Sequence, residues 1–189
     1  MKPSEFIKKG HGKTAPWMDL ANSEEWDARG NRTEWLDDPS WLPYFLGQWS
    51  LHPSGRQPFP KTRFVELRTV LRKSCEALIA GHAIGAHELR ALNDAMKVRG
   101  RRALIQRQNG LQTEFVAETS GWDWVLAQIA QSFADLLAAG NAVRIRICPS
   151  DDCRWLFYDT TKGRTRRWCS DAVCGNRARV RRSRARNAR

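Results

Sequence analysis

Four cysteines near the end of the chain place the tightest constraint on how it can fold. Cys148 and Cys153 form one C-x4-C pair, Cys169 and Cys174 form a second, and fifteen residues separate the pairs. Two short loops that each offer two thiolates can complete a tetrahedron around Zn²⁺, at about 2.3 Å per sulfur. The residues between the pairs can form a β-hairpin that returns the second pair over the first. The spacing therefore predicts a structural Zn²⁺ site with no open position for a substrate.

Three alternatives to zinc stay open for these cysteines. Disulfides form mainly in oxidising compartments, an iron–sulfur cluster uses four cysteines at other spacings, and four unrelated thiols are the third alternative. A mixed Cys/His site is not expected, because every histidine lies upstream: His11, His52, His82 and His87. The fifth cysteine, Cys75, lies on the apolar stripe of a predicted helix, so we expect it in the core.

The net charge is concentrated in the same part of the chain. Residues 141–189 carry 14 of the 32 basic residues but 4 of the 20 acidic ones, and all but one of those basic residues are arginine. Clustered arginine attracts a polyanion and suits bidentate phosphate contacts, whereas a merely solvated tail is the alternative. The predicted nucleic-acid contacts are Arg144, Arg146, Arg166, Arg167, Arg177, Arg179, Arg181, Arg182, Arg184 and Arg186.

Length and composition exclude several classes of protein. At 189 residues, 41% of them hydrophobic, the chain can bury a core of its own. No stretch approaches the roughly 20 apolar residues of a membrane span, and the first residues lack an apolar secretory segment. We therefore expect a cytoplasmic protein, and not a membrane protein, a secreted disulfide scaffold or a collagen-like chain.

Three regions are predicted along the chain: a disordered N-terminus over 1–13, a mostly helical domain over 14–140, and a four-cysteine finger with an arginine-rich helix or tail over 141–189. The expected fold class is mainly α with a β-hairpin, followed by a small treble-clef-like zinc finger of hairpin and helix. The tryptophans between 17 and 49 predict short helices and turns around a core, and the prolines of 51–60 predict a loop.

Apolar spacing of three and four residues predicts the longer helices. One begins at Thr62 and ends at Gly81 or Gly85, and a second covers about 86–97 with Leu89, Leu92 and Met96 on its buried face. A third is expected to begin with Ser120 and Asp123 as a capping box and to end at Gly140.

The remaining elements are predicted to be strands, turns and a last helix. Asn109-Gly110 between alternating runs predicts a hairpin whose two central residues have positive φ. In the finger, strands are expected over 143–147, 155–158 and 166–168. A helix is expected from about Ala172, capped by Ser170 or Asp171.

Several motifs together resemble a known family. Cys174-Gly175-Asn176-Arg177 resembles the signature of the CGNR zinc-finger proteins. Further residues also resemble the finger of that family: the first cysteine pair, Trp155-Leu156-Phe157, Asp159, Arg166-Arg167-Trp168-Cys169 and Ala178. Met18-Asp19-Leu20-Ala21-Asn22-Ser23 is similar to the Asp-x-x-Asn-Ser/Thr opening of the ABATE domain, and Ala91-Leu92-Asn93 also resembles that domain.

The resemblance, over residues 15–182, implies a bacterial, stress-associated transcription regulator that binds DNA through the finger. It implies Zn²⁺ ligation by Cys148, Cys153, Cys169 and Cys174. The N-terminal domain is then expected to act as a sensor or interaction module, with a homodimer as one arrangement.

Two other functions compete with DNA binding. The same basic surface suits RNA, with Trp155 or Tyr158 stacking on bases. A small-molecule-binding or enzymatic N-terminal domain is the second, with Asp19, Asn22 and Arg29 as a candidate effector pocket. Catalysis is not expected, because no nucleophile motif, Gly-rich phosphate loop or H-E-x-x-H spacing is present.

Overall fold

The computed structural model describes residues 15–27, 29–118 and 120–187, so the predicted disorder of residues 1–13 lies outside it. The helices are α1 (Pro16–Ala21), α2 (Trp41–Gln48), α3 (Lys61–Ile79), α4 (Ala86–Ala95), α5 (Trp122–Ala138) and α6 (Asn176–Asn187). The strands form antiparallel hairpins: β1 (Glu24–Trp26) with β2 (Arg32–Glu34), β3 (Gly100–Arg107) with β4 (Gly110–Ala117), and β5 (Ile145–Ile147) with β6 (Leu156–Tyr158). The described chain therefore combines helices with small sheets, and its C-terminal part contains a cysteine cluster.

The short helix α1 lies at the centre of the core. Trp17 and Leu20 are fully buried, and α1 packs against both α3 and α5. The Trp17 ring meets Phe133 of α5 with 4.9 Å between ring centroids, a favourable distance for an aromatic pair. Because α1 is buried on every side, its polar side chains must find partners inside the protein.

The finger continues this core. Ile145, Trp155, Leu156 and Phe157 are buried in the same apolar cluster as α1, α3 and α5. Strand β5 packs against α3, and β6 packs against α1. The cysteine region is therefore docked on the helical body through apolar contacts on both of its strands.

The long helices confirm the predicted apolar periodicity, with differences at their ends and faces. Helix α3 ends just before Gly81, which has φ +77 and so adopts the left-handed conformation typical of a helix end. On α4, Leu92 is buried but Leu89 is half exposed, so the predicted stripe was wrong at Leu89. The capping box was also wrong, because Gly121 precedes α5 and Asp123 instead pairs with Arg63 at 2.6 Å.

The hairpin at Asn109-Gly110 is confirmed, but its turn differs from the prediction. Arg107 pairs with Gly110, so the turn residues are Gln108 and Asn109. Of the described turn residues, only Gly110 has a positive φ, +110. This geometry is that of a type I turn closed by a glycine bulge. Gly110 serves the bulge and Asn109 does not need a left-handed backbone.

Two further differences concern short strands. The hairpin of β1 and β2 was not predicted, because three-residue strands are too short to show alternation. The strand predicted over 166–168 is absent from the described chain. There the Arg166 N–H donates to the Asp159 carboxylate at 3.0 Å, so this N–H is bonded to a side chain and not to the backbone of a neighbouring strand. No helix in the described ranges is both long and apolar enough to cross a bilayer.

Candidate metal centre

The two cysteine pairs converge at one point. The ligand sulfurs of Cys148, Cys153, Cys169 and Cys174 all lie within 4.8 Å of one another. Cys153 Sγ is 3.4 Å from Cys169 Sγ, which is 3.6 Å from Cys174 Sγ. A tetrahedral Zn²⁺ with sulfurs at its usual bond length would separate them by about 3.8 Å. The cluster therefore fits a four-sulfur metal site, with no sulfur–sulfur distance more than about 1 Å above this value.

The first pair lies in a tight loop between β5 and β6. Cys148 N–H donates to Trp155 O at 2.8 Å, and Cys153 N–H donates to Ser150 O at 2.9 Å. Arg154 then has φ +54, in the left-handed region that reverses the chain. These bonds turn both sulfurs to the same side of the hairpin.

The second pair lies at the start of the last helix. Cys169 precedes Ser170, whose hydroxyl accepts from Val173 N–H at 3.3 Å and caps the turn as predicted. Cys174 lies in a π-turn over Asp171–Gly175 that leads into α6. A thiolate is favoured here by the free N–H groups of a helix start.

Gly175 of the signature lies in a crowded position. A Cβ built there would lie 3.2 Å from Cδ1 of Trp168 and would meet the Asp171 carboxylate. A side chain at 175 would therefore require the Trp168 ring to shift by a few tenths of an ångström and the Asp171 side chain to turn away.

Asp159 organises the segment between the pairs. Its buried carboxylate accepts from Thr161 N–H at 2.9 Å, from Thr161 Oγ1 at 2.6 Å and from Arg166 N–H. Burial alone would raise the pKa of Asp159, but these hydrogen bonds outweigh it and lower the pKa. Asp-Thr-Thr is an Asx-turn signal, but the sequence did not reveal that one carboxylate would hold both ends of this segment.

The ionisation of the four sulfurs is linked to metal binding. Hydrogen bonding to Cys148, with the other sulfurs and burial adding to it, raises the pKa of the Cys153 thiol. Without a cation, therefore, not all of the sulfurs can ionise together at neutral pH. Metal binding requires thiolates and releases their protons, and a soft divalent cation suits four thiolates.

The polar residues of the Asp-x-x-Asn-Ser motif tie α1 to its neighbours. Asn22 Nδ2 donates to Leu156 O at 2.9 Å, and Leu156 N–H donates to Asn22 Oδ1 at 2.9 Å. Asn22 thus pairs like an extra strand residue with β6 of the finger. Ser23 accepts from the buried Arg68 at 2.9 Å, and Arg68 also forms a two-pronged ion pair with Glu34 at 2.7 Å.

Arg72 makes a second link between the helical body and the finger. Its guanidinium donates to Ala21 O at 3.0 Å and to Arg154 O at 3.1 Å. Because Arg154 follows Cys153 directly, α3 contacts the first cysteine loop itself. The metal centre is therefore fastened to α1 by Asn22 and to α3 by Arg72.

The three residues suggested as an effector pocket, Asp19, Asn22 and Arg29, have different surroundings. Asn22 uses its amide on Leu156, and Arg29 lies exposed on the turn after β1. Asp19 is buried and accepts from Trp49 Nε1 at 2.8 Å. Burial raises its pKa to about 7, although the Trp49 hydrogen bond lowers it. Its Oδ1 has no hydrogen-bond partner within the described chain.

The predicted nucleic-acid arginines that lie outside α6 contact other groups of the finger. Arg144 donates to the carbonyls of Asp159 and Thr161, and Arg166 donates to those of Trp168 and Cys169. These bonds hold the finger together, so the two guanidinium groups have a structural role within it. Arg146 donates to Arg164 O at 2.8 Å, and the Arg167 guanidinium lies 5.1 Å from the centre of the Trp168 ring.

On α6 the arginines lie on opposite faces. Arg177 and Arg181 pair with Asp152 of the first cysteine loop, at 3.1 and 3.4 Å. At 100° per residue, the face away from that loop, which we call the outward face, carries Asn176, Arg179, Arg182, Ser183 and Arg186. None of the described residues of α6 is buried.

The exposed arginines of α6 also differ in whether they form an ion pair with another residue. Arg179 pairs with Asp171 at 3.2 Å. Arg182, Arg184 and Arg186 are exposed and form no hydrogen bond or ion pair with other residues in the described ranges. Of these three, Arg182 and Arg186 lie on the outward face of α6, which therefore offers unpaired cations to a partner.

Two family models match consecutive parts of the chain. The ABATE model, described as "Putative stress-induced transcription regulator", matches residues 14–140. The model described as "CGNR zinc finger" matches residues 144–187. These matches and their order confirm the resemblance identified from the two motifs. No curated protein matches the chain.

Proposed function

Because the chain belongs to the ABATE family and ends in a CGNR zinc finger, we propose that it is a zinc-dependent transcription regulator that binds duplex DNA. One observation supports this proposal most strongly. Helix α6 stands on the four-sulfur cluster with no buried residue, and its outward face carries unpaired arginines. That arrangement suits a helix presented to a polyanion.

The proposed zinc has a structural role. Cys148, Cys153, Cys169 and Cys174 would hold it, and the bound ion would join the β5–β6 loop to the start of α6. The hairpin-and-helix order supports a treble-clef-like finger. We propose domain limits of 14–140 and 141–189, with the finger folding on the body.

The outward face of α6 suits contact with both backbone and bases. Arg182 and Arg186 can reach phosphates, since arginine forms bidentate bonds to phosphate oxygens. On the same face, Asn176 and Ser183 are residue types that hydrogen-bond to base edges, with asparagine favouring adenine. Arg177 and Arg181 lie on the other face and orient the helix through Asp152.

A salt-dependent DNA titration tests the proposal. The wild-type chain should bind a labelled duplex with a log–log salt slope of about −4 to −5, as expected for about five neutralised phosphates. Arg182→Gln/Arg186→Gln should reduce the slope by about 2 and weaken binding at every DNA sequence.

The matched control removes two arginines from a distant surface. Arg56 and Arg90 are exposed in the helical body, so Arg56→Gln/Arg90→Gln carries the same charge change and should bind like wild type. A wild-type slope near zero would contradict electrostatic binding, and equal losses in the two double variants would exclude α6 as the contact.

RNA binding by the same helix is the alternative function. Base stacking on Trp155 does not support it, because that ring is only 1% exposed, and Tyr158 is half-buried. Competition between duplex DNA and structured RNA at matched salt separates the two functions.

The helical body is proposed to act as a sensor or interaction module and not as an enzyme. Polar groups that could have formed a site are engaged in structure, with Asp19 bonded to Trp49 and Asn22 bonded to Leu156. We place the protein in the cytoplasm, where a reducing environment keeps cysteines available for metal.

A further inference from the structure

The β3–β4 hairpin is a long ribbon with an open surface. Its strands pair along all eight positions, from Gly100 with Ala117 to Arg107 with Gly110, and neither strand joins the other two sheets. Leu104 and Leu111 are 65% and 63% exposed. An isolated two-stranded hairpin is marginally stable in water, so we expect a partner molecule to cover the two leucine side chains.

The strand register sorts the ribbon's side chains onto two faces. Residues directly opposite each other share a face. Leu104 lies opposite Thr113, and Gln106 lies opposite Leu111. Arg102 is on the same face as Leu104, because alternate residues of a strand point the same way. One face therefore combines a cation, two leucines and two hydrogen-bonding side chains.

The charge of the ribbon indicates which partner covers it. Residues 99–107 contain four arginines and no acid, while 108–118 contain two glutamates and no base. Arg99, Arg101 and Arg102 are exposed. The end of the ribbon adds the amide side chains Gln106, Gln108, Asn109 and Gln112. The net charge of residues 99–118 is therefore +2, and with Arg102 on the Leu104–Leu111 face the ribbon attracts a polyanion.

We propose that the β3–β4 ribbon is a second DNA contact, lying in the major groove with the Leu104–Leu111 face toward the bases. This inference rests on the proposed function. The major groove of B-DNA admits a two-stranded ribbon, arginine and glutamine bond to the edges of guanine and adenine, and apolar side chains contact the thymine methyl group. A-form RNA has a major groove too deep and narrow for such a ribbon.

Anisotropy titrations of a labelled DNA duplex with the full chain test the ribbon. Arg102→Gln should weaken binding about threefold and reduce the salt slope by about 1. Leu104→Ala/Leu111→Ala should weaken binding about threefold with an unchanged slope, because it removes apolar contacts only. Arg56→Gln is the control with matched charge. Circular dichroism establishes that each variant is folded.

The outcomes separate this inference from the proposed function. If both ribbon variants bind like wild type while Arg182→Gln/Arg186→Gln loses affinity, the ribbon is not a contact and the proposed function stands. If the wild-type chain binds no duplex, both proposals fail. If the leucine variant changes a dimer into a monomer in sedimentation with unchanged DNA affinity, the ribbon is a self-association arm. Loss of structured-RNA binding alone would also overturn the assignment to DNA.

Discussion

The helical body and the finger are stabilised by different means. The body buries apolar side chains such as Trp17, Trp41 and Phe133 from five helices, so its stability is spread over many contacts. The finger contributes few buried residues and depends on four sulfurs, the Asp159 hydrogen bonds and two links to the body. A region stabilised by many contacts tolerates the loss of one of them, whereas a region that depends on a few does not.

This difference matters for function because the finger does not sit on a free tether. Asn22 bonds to β6 and Arg72 bonds to the first cysteine loop. A change in the position of α1 or α3 would therefore reach the metal centre directly. The links provide a physical route by which the body could alter the position of α6.

Removing one sulfur should have the largest effect. Cys169→Ser should abolish stable metal binding, because Cys169 Sγ contacts the sulfurs of both Cys153 and Cys174. Structural Zn²⁺ contributes about 10–16 kcal/mol of apparent binding free energy in finger peptides. Metal analysis should find no zinc, and hydrogen exchange should lose protection over 145–175 while α3 and α5 keep theirs.

Cys75→Ala is the matched control for this variant. Cys75 is buried in α3, and burial raises its pKa far above the usual range, so it stays a neutral thiol. Its loss should lower the melting temperature modestly and leave metal content unchanged. Purified wild-type protein that contains no metal and keeps a protected finger in the presence of chelator would contradict the account of the metal centre.

The comparison also explains what could be predicted from the sequence. The long helices and the cysteine pairs were predictable because their signals are local: apolar spacing reports one buried face, and each C-x4-C loop is complete in itself. The role of Asn22 was not, because its partner Leu156 is 134 residues away. The false strand at Arg166 failed for a similar reason, since the Asp159 carboxylate takes a backbone N–H that a strand would have paired.

Breaking the link between the two regions should have an intermediate effect. Asn22→Ala would leave the buried N–H and C=O of Leu156 without partners, at a cost of about 2–4 kcal/mol. Chemical denaturation should show this loss of stability with zinc still bound. Hydrogen exchange at β6 should become faster.

An asparagine on the surface provides the control for Asn22. Asn93 is exposed on α4, so Asn93→Ala should leave stability and exchange within error of wild type. Equal stability of the Asn22 and Asn93 variants would show that the finger does not depend on its bonds to α1. The sulfur cluster would then be sufficient to hold it.

The smallest predicted effect concerns pH and the body alone. Burial raises the pKa of Asp19 to about 7, so the folded state retains a proton that the unfolded chain has already released. The stability contributed by the neutral carboxyl is complete at low pH and is lost as pH rises toward and through 7. Between pH 6 and pH 7 the loss should be about 1 kcal/mol. Asp19→Asn cannot titrate, so the difference between its unfolding free energy and that of wild type should follow this curve.

Tyr44→Phe is the control. The charge of Asp19 acts on the Tyr44 phenol, but that phenol does not titrate between pH 6 and pH 7, so this variant should keep the pH dependence of wild type. A difference that does not vary with pH would mean that Asp19 stays ionised in the core. Metal content should be the same in all three proteins, because the metal centre takes no part.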